Sequence, residues 1–172
     1  MPASAVYAAE DQWSALLDRG GVVDFFGSRL DVPMQLRFGD VASVQAYVDR
    51  VMDDDAVRRE YPAAGALSVR ASRSRTRARY LPDVQVIELP GELWAGRESV
   101  VLHETAHHLA CSRGIAPART SGRWHGSEFR SAMEFVVLQM LGEAAALLLR
   151  SGYDAAGVAG AQRAERRGGG GR

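Results

Sequence analysis

The chain has 172 residues, enough for one domain with a sizeable core, and its 47% apolar and 24% charged content is that of an ordinary globular protein. Its formal net charge is zero, so no overall field draws it toward nucleic acid or an anionic membrane. A single cysteine, Cys111, excludes an internal disulfide framework and any CxxC zinc ribbon.

The opening segment, "MPASAVYAAEDQWSALLDRG", lacks the basic start and continuous apolar stretch of a signal peptide. It reads instead as a helix from Ser4 to Arg19, with Val6, Ala9, Trp13, Leu16 and Leu17 at helical spacing and Gly20-Gly21 as the stop. "VVDFFGSRLDVP" holds two β-prone runs separated by Gly27-Ser28, which predicts a short hairpin. Asp40 can cap a second helix whose apolar stripe is Val41, Val44, Val48 and Val51. The acidic run Asp53–Asp55 reads as a solvated break or a fresh helix start rather than a metal site. Two strands follow, about 67–72 and 84–89, the second closed by Pro90.

A helix is expected from about Gly96 to Ala110, then a loop over 112–126, then a long helix from Ser127 to about Arg150. The longest apolar run, "AAALLL", is too short to span a bilayer, so no membrane partner and a reducing cytoplasm are expected. Residues 1–154 read as one domain, and 155–172 as a disordered tail with too little apolar content to pack. The element order predicts an α+β domain with a small, mainly antiparallel sheet.

The chemistry is concentrated in "VLHETAHHLA", residues 101–110. Residues four apart on a helix differ by about 40° in direction and about 6 Å in height, so His103 and His107 project from one face. Two imidazoles so placed can reach one metal ion at about 2.0–2.1 Å, the zinc–nitrogen distance. Glu104 stands beside them, where a carboxylate can act as general base toward water activated by Zn2+. His108 points about 140° away from His103 and reads as a core or supporting histidine. The third ligand must come after the chain reverses. His125 follows the loop and precedes the long helix, with Glu128 and Glu134 as its competitors.

With "HETAHHLA" followed by "GRWHGSEFRSAM", the chain resembles the SprT-like branch of the zincin metallopeptidases. There an HExxH helix is followed by an HGxxF segment, here His125-Gly126-Ser127-Glu128-Phe129, and the strand-like "VIELP" before the active helix also fits. The SprT-like resemblance covers about 65–140. A closer one, to a family of small actinobacterial HExxH-motif metallohydrolases, covers most of 5–152. The resemblance implies a minimal zincin core, with His103, His107 and His125 as zinc ligands, Glu104 as general base and a peptide or protein as substrate. It also implies that the strand at 84–89 pairs with extended substrate by β-augmentation. This chain departs from many SprT-type proteins in lacking a cysteine-rich zinc module.

Two other readings stand beside the hydrolase. One is a zinc-binding or interaction protein without catalysis, against which Glu104 argues, because a structural site needs no base. The other is a nucleic-acid-binding module built on Arg73, Arg75, Arg77 and Arg79, which share one face if extended. For the group that stabilises a developing oxyanion, Tyr80, Arg123 and Tyr153 are candidates by residue type alone.

Overall fold

A computed structural model describes residues 3–72, 77–90, 96–114 and 124–158. Helix α1 (Ala3–Arg19) buries Val6, Ala9, Trp13 and Leu17, a stripe at helical spacing that lies against the C-terminal half of the chain. The Trp13 indole donates from Nε1 to the Ala145 carbonyl at 2.9 Å, so even the polar edge of this core residue is satisfied. The hairpin β1 (Gly21–Phe25) and β2 (Ser28–Val32) follows. Its two-residue turn is Phe26–Gly27, one position earlier than the sequence predicts, and Ser28 pairs with Phe25. Both turn residues have positive φ (48° and 79°), the mirror-image turn that suits the twist of a hairpin.

Asp40 caps α2 (Val41–Asp53), its carboxylate accepting from the Ser43 N–H at 2.7 Å. The acidic run is indeed a fresh helix start: Asp54 caps α3 (Asp55–Glu60) by accepting from the N–H groups of Ala56 and Val57.

The α+β class and the mainly antiparallel pairing are as expected, but the single small sheet is two. Among the described residues these are the hairpin, and a three-stranded sheet of β3 (Ser68–Ala71), β4 (Arg79–Leu81) and β5 (Val86–Leu89) in the order β3-β5-β4. β3 runs parallel to β5 and β4 antiparallel to it, so the larger sheet is mixed. β4 was not legible as a strand, since only three residues of an arginine-rich stretch pair. The central position of β5 also corrects the expectation for 84–89. Both edges of that strand are taken, and it cannot receive an extended substrate. The carboxylate of Glu88, on β5, is held by Arg70 on one side and Arg79 on the other, and these hydrogen bonds lower its pKa. Arg79 is thus tied into the sheet. Arg73 and Arg75, the other half of the alternation, lie outside the described residues.

Helix α4 (Glu98–Ser112) carries the HETAHH stretch and is buried along nearly its whole length. Its start is fixed by side chains rather than by a cap. Glu98 accepts from the Leu36 N–H and from the Tyr47 hydroxyl, and Gln35 accepts from the Ser99 N–H. Helix α5 (Ser127–Ala155) extends past the expected end and is broken at Gly142, where φ is 84°. The expected single helix is therefore two, joined at a kink. By length and composition α5 could cross a membrane. It nonetheless packs into the core through Phe129, Met133, Val136, Val137, Leu148 and Leu149. Val158, which falls in the stretch expected to be a tail, is buried. Residues 159–172 lie outside the described residues.

Candidate metal centre

α4 presents His103 and His107 on successive turns, and the chain returns to place His125 just before α5. The Nε2 atoms of His107 and His125 each lie 3.2 Å from Nε2 of His103. One donor atom from each of the three residues falls within 4.8 Å of the others, and all three side chains are buried. Two nitrogens each about 2.0–2.1 Å from a tetrahedral ion stand about 3.3 Å apart, so the spacing is that of a metal-ligand set. Glu128, the competitor for third ligand, is half exposed and faces Arg113 at 3.8 Å. Glu134 is bonded to Arg150.

The tautomers fit the same purpose. Nδ1 of His103 lies 2.6 Å from Oε2 of Glu10, and a carboxylate can only accept, so Nδ1 carries a proton and Nε2 is the nitrogen turned toward the cluster. Glu10 is fixed in turn by the Tyr153 hydroxyl, which donates to Oε1. Carboxylate, imidazole and donor set thus form the supporting chain that metal-bound histidines ordinarily have. Burial, followed by the charge of His103, pushes His107 well below the usual imidazole pKa and His125 down to about 4. Burial opposes charge on His103 as well, but Glu10 outweighs it and raises this imidazole to about 9. Without an ion, the second proton of His103 sits at Nε2 between the two neutral imidazoles, each 3.2 Å away, and a metal ion would take the place of that proton. The residues fit a metal ion.

The walls are apolar. Phe129 packs on all three imidazoles at centroid distances of 4.3–4.9 Å, and Trp124 stacks on His107 at 4.4 Å. Phe129 is the last residue of the HGxxF segment, which explains an aromatic ring one turn after His125.

Glu104 is buried beside the cluster. Its Oε2 accepts from the Tyr80 N–H of β4 at 2.7 Å, and burial raises its pKa. Behind it, His108 donates from Nε2 to the Gly65 carbonyl and so accepts at Nδ1 from the Tyr80 hydroxyl. His108 therefore stays off the cluster, as its direction on the helix predicts, and holds the strand that holds Glu104. Tyr80 and Tyr153 are both committed elsewhere through their hydroxyls, and Arg123 lies outside the described residues. Among the oxyanion candidates that are described, none faces the site.

A cavity of about 340 Å³ opens next to the cluster, lined among others by Tyr7, Glu10, Arg77, Arg97, His103 and Glu104. Sequence reasoning missed Tyr7 and Glu10. Glu10 did carry a signal, since it interrupts the buried face of α1 between Ala9 and Trp13, where a carboxylate needs a partner. Comparison with family models, curated proteins and solved structures finds no match for this chain.

The Glu10 arrangement yields a prediction. Glu10→Gln keeps the shape but weakens the acceptor for His103 Nδ1–H, so metal affinity should fall by about 10–100-fold. Competition with a chromophoric chelator measures this, and affinity unchanged within a factor of two would remove Glu10 from the site.

Proposed function

We propose that this protein is a zinc-dependent hydrolase, and that its substrate is a peptide. The observation that carries the reading is the convergence of three imidazole nitrogens, two of them 3.2 Å from the third, beside a buried carboxylate at the edge of a cavity. A donor set of three histidines suits zinc and leaves a coordination position for substrate or water, as catalytic sites do. The resemblance to SprT-like zincins implies the same roles for the same residues. His103, His107 and His125 would hold the ion. When bound, zinc supplies Lewis-acid polarisation of a carbonyl and brings a water pKa toward neutrality.

The chain's own residues do the rest. Glu104 accepts the proton of the attacking water as the oxygen–carbon bond forms and the carbonyl electron pair moves onto oxygen. It then returns that proton to the departing amine as the carbon–nitrogen bond breaks. The Tyr80 N–H orients the carboxylate for both steps, leaving its other oxygen for the water. Phe129 and Trp124 exclude bulk water from one side of the imidazoles. An extended peptide would lie beside β4, the edge strand that packs on α4, rather than along β5, and would leave the Tyr80 N–H to Glu104. The test is a peptide-library cleavage assay on zinc-loaded protein. Cleavage that is lost on chelation and restored by zinc is expected. Absence of cleavage across the library by fully loaded protein would count against a peptidase.

A further inference from the structure

The hydrolase reading lacks one component, a donor for the oxygen that gains negative charge when a carbonyl is attacked. Tyr7 on α1 is placed to supply it. Its ring stacks on His103 at 5.6 Å and meets His125 edge-on at 4.8 Å, so two of the three imidazoles fix its position. The same side chain lines the cavity together with Glu104 and His103. Tyr7 is 45% exposed, so the part of its ring that is not packed on the imidazoles is open to solvent and to the cavity. Among the described residues its hydroxyl has no hydrogen-bond partner. The other two tyrosines near the site, Tyr80 and Tyr153, spend theirs on His108 and Glu10. A tyrosine whose ring packs on two of the imidazoles and whose hydroxyl is uncommitted can serve as a donor to a substrate in the adjoining cavity.

We infer that Tyr7 is a catalytic residue whose hydroxyl donates to the substrate carbonyl oxygen as negative charge develops there. The inference rests on the hydrolase reading, and it needs no proton to leave Tyr7: a phenol is a donor throughout the neutral range. Arg77, exposed at the cavity rim, is the alternative donor. It lacks the contacts with the imidazoles that hold Tyr7.

Tyr7→Phe separates the roles, because it keeps the ring on His103 and His125 and removes only the hydroxyl. The probe is methylphosphonate, a tetrahedral anion, titrated calorimetrically into zinc-loaded protein. The expected result is that Tyr7→Phe binds zinc as the parent does but binds methylphosphonate about 10–100-fold more weakly, the range for a hydrogen bond to a charged group. Where a peptide substrate is in hand, kcat should fall by about 10²–10³-fold with little change in KM. Methylphosphonate affinity equal to that of the parent overturns the proposal. So does a parent protein that holds zinc but does not bind the anion, a Tyr7→Phe variant that loses zinc, or loss of anion binding in Arg77→Met with none in Tyr7→Phe. A parent protein that takes up no zinc is a different failure, and it removes the hydrolase reading itself.

Discussion

Replacing Glu104 with glutamine should leave the metal in place and cut hydrolysis by about 10²–10⁴-fold, the usual worth of a general base. The carboxylate is buried, and its Oε2 accepts from the Tyr80 N–H. Glutamine is nearly isosteric, and its amide oxygen can keep that bond. The second oxygen becomes an NH2 group, which has no lone pair able to take a proton from water. Glu104 is not among the three residues whose donor atoms converge, so the candidate metal ligands are untouched. Metal content, thermal stability and turnover of the purified variant should be measured together. Full metal with lost turnover is the expected pattern. Full metal with near-normal turnover would show that another group takes the proton.

The second large effect concerns the third ligand. His125→Ala should lower zinc affinity by more than the about 10–100-fold that a supporting partner is worth, whereas Glu128→Ala should leave it close to the parent value. His125 is buried with its Nε2 at 3.2 Å from that of His103. The Glu128 carboxylate is half exposed and answers to Arg113 instead. Its place in the first turn of α5 also suits the helix dipole, which accounts for an acidic residue there without any ion. Parallel titrations of both variants against a zinc-buffered indicator decide between them. Metal lost from the Glu128 variant and kept by the His125 variant would reverse the assignment.

Much of the site was legible because its parts are local. His103, Glu104 and His107 sit within five residues of one another, and helical geometry alone puts the two histidines on one face and turns His108 away. His125 was reachable because Gly114, Pro117 and Gly122 in the sequence predict a reversal of the chain, and an imidazole next to Gly126 can then approach. The α1 stripe and the Asp40 cap were read by the same short-range logic. What was hidden depends on contacts between distant segments. Glu10 meets His103 across 93 positions and Tyr153 across 143, so nothing near the motif announces it. Tyr7 reads as one more surface aromatic on an amphipathic helix until α1 is laid against α4 and α5. β4 is three residues long and owes its pairing to the opposite strand rather than to its own pattern. The parallel pairing of β3 with β5 reflects the path between them, which residue alternation does not encode. Gly142 sits in an apolar run that reads as continuous helix, and only its backbone angle reveals the break.

The account stands on the claim that His103, His107 and His125 hold a metal ion. Elemental analysis of protein purified without exposure to chelator tests it most directly. About one zinc per chain is predicted, since a catalytic site of this kind holds a single ion. Protein that carries no transition metal, and takes up none on dialysis against zinc, would contradict it.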